Sequence, residues 1–464
     1  MNLRNSPCDE LYGHLARQTG LAVRVGGAPQ TRGDALVGWA SSGLACLAGE
    51  SNSPPVIPRR DYARRLESVL QVTKAFAALS GREVALDRRI FAERAAELGL
   101  HRGGRLSCNG TARLLRTENG WIAVNLARQE DVDAVPAWLA RETGHDVWAA
   151  IEHVATSRVG SDFAAAGQLL GIPAAVVDAQ DDEQWRARWN EGPRAARIVR
   201  MSPPIELRPG GWANPRPVVI DLSSLWAGPL CGHVLTLAGA RVIKVESVGR
   251  PDAARFGPRR FFERLHWGQE WIAVDIATAQ GRSRLANLIS SADVIIESSR
   301  PRAIEQLGID VGATFRANPR QIWVSVTAYG RTGPWSNRVG FGDDTAASGG
   351  LVAHDGAGDP VFFGDAIADP IAGLIAGAAA LAALCAGGGL LIDVALREAA
   401  AFVADGDLIA GHHSARVEGE EGRWRLRSGT IDTPLQPPRA RRPSRPRARS
   451  PSVAERCTTL AGPR

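Results

Sequence analysis

No two of the six cysteines (Cys8, Cys46, Cys108, Cys231, Cys385, Cys457) form a C-x-x-C pair. That argues against a zinc site and a disulfide framework and fits a reducing, cytoplasmic compartment. The start, MNLRNSPCDELYG, has no basic residues followed by an apolar stretch, so it does not read as a secretory signal. Long apolar runs are scarce too. Residues 370–392 alone are long enough to consider for a membrane, but they are mostly Ala and Gly, and Asp393 follows at once. A buried helix and then a strand, LLIDVAL, fits better. The body lacks a broad basic field. Of the formal +6, six charges fall in PPRARRPSRPRARS, as Arg439, Arg441, Arg442, Arg445, Arg447 and Arg449. Nucleic acid is therefore not an expected partner, and this Pro/Arg-rich tail reads as a solvated, partly disordered extension.

What remains is an ordinary globular composition, 44% hydrophobic and 22% charged, over 464 residues, enough for two or more domains. From residue 217 a strand–helix rhythm is clear. PVVIDLS, ARVIKVES, WIAVDI, DVIIES and QIWVSVTAYG read as buried strands. GPLCGHVLTLAG, GRSRLANLISSA and RAIEQLG read as helices between them. Such alternation predicts an α/β fold: a Rossmann-like parallel sheet with helices on both faces and a ligand crevice at the strand ends. A dinucleotide enzyme would share this rhythm, and Glu246 stands where a ribose-binding acid would. The first turn, SSLWAGPLCG, nevertheless lacks G-x-G-x-x-G.

The chain also resembles itself. PVIPRRDYARRLESVLQVTKAFAALSGREVALD (55–87) parallels PVFFGDAIADPIAGLIAGAAALAALCAGGGLLID (360–393). Each predicts a polar junction, a helix ending A-A-L, a glycine and a strand ending in Asp. Aligned on A-A-L, Asp369 falls opposite Arg64. By itself Asp369 reads as a helix cap before Pro370, for a helix running to about Leu384 and stopped by Gly387–Gly389. A covalent nucleophile at that point is the rival reading. Asp365 reads as a loop acid, Asp343-Asp344 as a turn, and His412-His413 as a local pair short of a metal site.

These residues resemble the class III CoA-transferases, the formyl-CoA and carnitine CoA-transferase type. The resemblance rests on four stretches in the family's order: PVVIDLSSLWAGPLCGHVLTLAGARVIKVES, WIAVDIATAQGRSRLANLISSADVIIESSRP, NPRQIWVSVTAYGRTGP, and SGGLVAHDG with DPVFFGDAIADPIAGLIAGAAALAAL. It implies Asp369 as nucleophile and an acyl-CoA and a carboxylic acid as substrates. Coenzyme A would enter as a thioester, with no cofactor bound. The implied CoA contacts are Trp226, Ala227, Ser247, Val274, Asp275, Ile276, Ala277, Ser298, Ser299, Arg300, Gln306, Thr327, Ala328, Tyr329 and Gly330. Several family members carry Arg or Lys where this chain has Ser247, Ala277, Gln306 and Thr327; Arg250, Arg255 and Arg300 are the candidates to compensate. GFGDDTAASGG lacks the His that the family's racemases place nearby, which favours transfer. LLRTENGWIAVNLA, with Asn119-Gly120 as its turn, and LLGIPAAVVDAQ are similar to the family's small domain. The resemblance thus implies two incomplete copies. Residues 1–205 would be a degenerate copy with helices and a smaller α+β domain. Residues 206–410 would form the CoA-binding domain, and 411–464 an extension. The family's interlocked homodimer would here be interlocked partly within one chain. The alternatives are a catalytically impaired member that binds CoA thioesters or a partner subunit, and an intramolecular CoA-transferase or acyl-CoA racemase.

Overall fold

A computed structural model describes residues 7–21, 34–178, 195–202, 212 and 214–441. The Pro/Arg-rich tail beyond Arg441, and Ala179-Gln180 at the end of LLGIPAAVVDAQ, lie outside the described residues. In chain order, a small antiparallel sheet comes first: β1 (Ala112–Thr117), β2 (Gly120–Asn125) and β3 (Ala174–Val176). Helices Gln129–Leu139, Val147–Ala155 and Gly160–Leu169 cover it. They enclose a separate core of Ile122, Val124, Val135, Trp138, Ile151 and Phe163. The hairpin register pairs Thr117 with Gly120, so its turn is Glu118-Asn119, one residue earlier than the N-G signal suggests. Asn119 is held there because its side chain accepts a hydrogen bond from the Gly160 amide at 2.9 Å.

The large sheet has seven strands, β4 (Arg197–Arg200), β5 (Val218–Asp221), β6 (Arg241–Ser247), β7 (Glu270–Val274), β8 (Val294–Glu297), β9 (Ile322–Thr327) and β12 (Leu390–Ala395). Between the last two, β10 (Val352–His354) and β11 (Pro360–Phe362) form a separate hairpin. The sheet order is β4-β12-β9-β8-β5-β6-β7. From β7 to β12 all strands are parallel, in the doubly wound 3-2-1-4-5-6 order, so the strand order reverses between β5 and β8. Every strand of the expected rhythm is present; β5, β8 and β9 are almost wholly buried, while the edge strand β7 is exposed or half-buried up to Val274.

β4 belongs to the first half of the sequence and pairs antiparallel with β12, covering that edge of the sheet. A second intrusion is helix Tyr62–Ala78, which packs against the long helix Ala368–Cys385; Thr73 Oγ1 donates to Leu374 O at 3.2 Å. The long helix passes a length-and-hydropathy test for a membrane span, but it lies almost wholly inside the protein. Its small residues have a packing reason. A Cβ at Gly373 would come within 2.5 Å of Ala227 O on helix Ala227–Leu237, so the close crossing requires glycine. Burying its Leu374, Ile375 and Leu381 contributes roughly 1.5–3 kcal/mol each.

The internal repeat is incomplete. The strand expected to end at Asp87 is an irregular segment. Val84 and Leu86 are buried, yet the chain meets no free sheet edge there, and Asp87 instead caps a 3-10 turn at Arg89. Residues 416–434 form a three-stranded sheet, β13 (Arg416–Glu418), β14 (Arg425–Ser428) and β15 (Ile431–Pro434). The chain then returns to the first half. The Gln436 amide donates to Ala40 O at 2.8 Å, and Arg441 is buried in a two-pronged ion pair with Glu93 (2.7 and 2.8 Å).

Candidate active site

Asp369 lies one residue inside the helix Ala368–Cys385, whose N-cap is Ile367 and carries no side-chain capping bond. The capping account of this acid therefore fails. Its carboxylate stays within the first turn, at the positive end of the helix dipole, and remains partly exposed. The preceding loop is tight: Ala366 has φ 42, a left-handed value uncommon for a residue with a side chain. Asp343 holds it, its Oδ1 accepting from the Ala366 amide at 2.7 Å. Gly342 faces the nucleophile candidate directly, since a Cβ there would overlap Asp369 Oδ2 and Ala366 O.

Sequence reasoning left three neighbours without a role. Asp343 and Asp344 form no turn. They lie in the first turn of a short helix, Gly342–Ser348, and both are buried. Asp343 also accepts from Asn109 Nδ2 (2.8 Å), and Asp344 from Asn125 Nδ2 (3.1 Å) and the Phe341 amide (2.9 Å). Nor is Asp365 a loose loop acid. It is fully buried and takes a two-pronged ion pair from Arg94, with Nε to Oδ2 at 2.9 Å. Arg94 sits in helix Glu93–Leu98, and its guanidinium lies 5.5 Å over the Trp226 ring. Arg94, Asn109 and Asn125 all come from the first half of the sequence. The near-repeat in that half gave no signal for them, because each acts through a contact more than two hundred residues away.

The electrostatics follow from this crowding. Burial pushes the Asp369 carboxyl up to about 7; Asp343 and Asp365 push the same way, and the Arg94 charge opposes them. Asp344 is raised to about 8 and Asp343 to about 6, burial being the first cause for both.

At the neighbouring strand ends, Lys244 is buried under the turn after β5. It bonds the Ser223 carbonyl and pairs with Asp252 at 3.3 Å. Asp252 Oδ1 accepts from the amide of Leu225, which has φ 70. This anchored, strained turn sets Trp226 beneath Arg94. The implied CoA contacts divide into two groups. Ser247, Asp275, Ile276, Ala277, Ser298, Ser299, Arg300, Gln306 and Ala328 are exposed or half-buried at the strand ends. The side chains of Trp226, Ala227, Val274, Thr327 and Tyr329 are buried, as is Gly330, whose amide donates to Thr327 Oγ1 at 2.7 Å. Tyr329 stacks edge-on against Trp335, 5.7 Å between centroids.

Of the three compensating arginines, Arg255 is already engaged. It holds Glu246 at 2.8 Å and lies over Phe262 and Trp271, which also takes Glu246 out of any ribose-binding role. Arg300 and Arg250 are exposed. Burial and then the charges of Arg302, Arg128 and Arg250 push the Arg300 guanidinium down, so these four cations converge on one region. Arg302 and Arg128 went unread, Arg128 because it is brought in from the first half. His354 ends β10, and His412 Nε2 lies 3.0 Å from Ile57 O. Among the described residues no group of three His, Cys, Asp or Glu is placed to hold a metal ion.

Residues 217–432 match CoA-transferase family III. This segment, a little under half of the chain, is similar to that family. Among curated relatives, it is 35% identical over 201 residues to an acyl-CoA transferase of Fusarium pseudograminearum, covering 39% of this chain and 44% of that protein. It is 33% identical to the succinyl-CoA–D-citramalate CoA-transferase of Chloroflexus aurantiacus, covering 40% and 50%. A solved CAIB/BAIF family protein from Brucella suis shares 27% identity at a TM-score of 0.40, over 45% of this chain and 64% of that one. The chain thus spans about half the length of the curated family III relatives it matches.

Proposed function

We propose that the protein is an acyl-CoA transferase that moves CoA from a thioester to a free carboxylic acid, with Asp369 as covalent nucleophile. The observation that carries this reading is the uncapped, partly exposed Asp369 carboxylate in the first turn of a buried helix, inside a family III segment. Asp369 attacks the donor thioester carbonyl, and the collapsing tetrahedral anion expels CoA thiolate, leaving a mixed anhydride. The thiolate attacks the aspartyl carbonyl, releasing the donor acid and forming an aspartyl-CoA thioester. The acceptor carboxylate then attacks this thioester and expels the thiolate, giving a second anhydride. The returning thiolate cleaves that anhydride at the acyl carbonyl, giving the new acyl-CoA and free Asp369. The positive end of the helix dipole, at Asp369, stabilises each oxyanion. The exposed strand-end residues from Ser247 to Gln306 cradle CoA. Arg250, Arg300 and Arg302 take its phosphates in place of the basic residues that other family members carry.

Incubation with a panel of acyl-CoA thioesters, followed by hydroxylamine and peptide mass spectrometry, should give a hydroxamate at Asp369. The Asp369→Asn variant should give none, with turnover down by at least about a thousandfold. Undiminished turnover in folded Asp369→Asn would remove the nucleophile from the scheme.

A further inference from the structure

A single guanidinium serves a set of carboxylates around the reactive position. Arg94 is bound through two nitrogens to Asp365, lies 5.5 Å over the Trp226 ring, and keeps about a quarter of its side chain exposed. Its placement is fixed from behind. The adjacent Glu93 is clamped by Arg441, and Glu97, one turn on, pairs with Arg264 of the second half. The helix that carries Arg94 is therefore bolted to the C-terminal strap and to the family III segment at once. The charges that act on Asp369 are those of Arg94 on this helix, Asp343 on helix Gly342–Ser348 and Asp365 in the loop just before it. Behind them stand Asp344, the Cys108 thiol, whose Sγ lies 3.3 Å from Gly364 O, and the Asn109 amide on Asp343. Arg94 is the one cation among them.

From this arrangement, and resting on the transferase reading of Asp369, we propose that Arg94, supplied by the first half of the chain, is a positioning residue that keeps Asp369 anionic by sharing its single charge between Asp365 and Asp369. Asp365 is then the competitor for that charge. A structural ion pair predicts that loss of either partner has the same effect. A shared cation predicts opposite effects: removing Arg94 makes Asp369 harder to ionise, whereas removing the Asp365 charge makes it easier.

Carboxyl-13C aspartate NMR on the full chain reads this without turnover, the Asp369 signal being assigned by its loss in Asp369→Asn. In Arg94→Gln the Asp369 midpoint should rise by about one pH unit, lowering the ionised fraction at pH 7 about fivefold. Arg94→Lys should stay near the parent, and Asp365→Asn should titrate lower. If Arg94→Gln does not fold, Asp365→Asn and Arg94→Lys carry the test: a midpoint in Asp365→Asn that is unchanged or higher overturns the proposal. Equal shifts in the same direction for Arg94→Gln and Asp365→Asn also overturn it. In parallel, hydroxylamine trapping as a function of pH should show its acid limb moving with each midpoint. Midpoints that move as described in a parent chain yielding no adduct would refute the transferase reading and uphold Arg94. An adduct with fixed midpoints would do the reverse.

Discussion

Helices Tyr62–Ala78 and Ala368–Cys385 occupy matching places in an internal repeat and lie against each other, yet their first turns do different things. In the earlier one an acid, Asp61, stands at the N-cap and accepts the Arg64 amide at 2.9 Å. In the later one the acid stands two residues beyond the N-cap, bonds no helix amide as a cap, and faces a guanidinium brought from elsewhere. At the position matching Asp369, Arg64 reaches Asp407 at 3.9 Å on the surface. A cleft of about 480 Å³ opens beside this earlier helix, lined by Asp34, Asp61, Arg64, Glu67, Lys74 and Phe91 among others. Asp369 does not line this cleft. The comparison teaches that an acid beside a helix start serves as a cap, or is left free of that task, according to a shift of two residues.

The strongest way to break the comparison is to separate the halves. A chain of residues 206–464 lacks Arg94, Asn109, Asn125 and the β4 edge strand. It is expected to form no hydroxamate at Asp369 and to run as aggregate in size-exclusion chromatography, because an uncovered β12 edge invites pairing with other chains. A soluble fragment with full trapping would show that the earlier copy is dispensable.

Next in size is Gly342→Ala. Its methyl group must displace the Asp369 carboxylate or the Ala366 carbonyl, and a misplacement of that order costs about a hundredfold in trapping rate with the fold intact. Trapping at the parent rate would mean that this backbone is not in contact with the reacting group.

The third concerns stability. The Asp369 carboxyl is raised from 3.8 to about 7, so its ionisation opposes folding. The penalty is absent below pH ~4, grows as pH rises through the window between the two values, and is complete above about 7. Asp369→Asn should therefore be more stable than the parent by roughly 2 kcal/mol at pH 8, less than the full shift implies because the group is partly exposed and near Arg94. The difference should vanish near pH 4. Urea unfolding at the two pH values checks both the sign and the window. Smallest is Asp61→Ala, which removes an ordinary cap and should cost about 1 kcal/mol with trapping unchanged.

The large sheet was legible because β-branched runs bounded by turn residues carry their own signal; β5, β6 and β8 sit within a residue or two of where the pattern puts them, and β9 ends three residues short. Asp369 stood out as a residue, but its environment did not. Arg94, Asp343 and Asp365 meet through distant contacts that no local spacing encodes, and Asp343-Asp344 read as a turn because a short buried helix and a Gly-Asp-Asp turn look alike in sequence. The repeat misled at residues 82–87. Hydrophobic pattern predicts which side chains are buried, and Val84 and Leu86 are; it does not say whether a neighbouring strand is there to pair with.

The Arg441–Glu93 clamp joins residues 348 apart in the chain. During synthesis, the helix bearing Arg94 leaves the ribosome long before its fastener exists. The surroundings of Asp369 are thus a late product of translation, fastened only once Arg441 has emerged, and a message cut short before Arg441 would yield a protein that has Asp369 but lacks this fastener on the helix opposite.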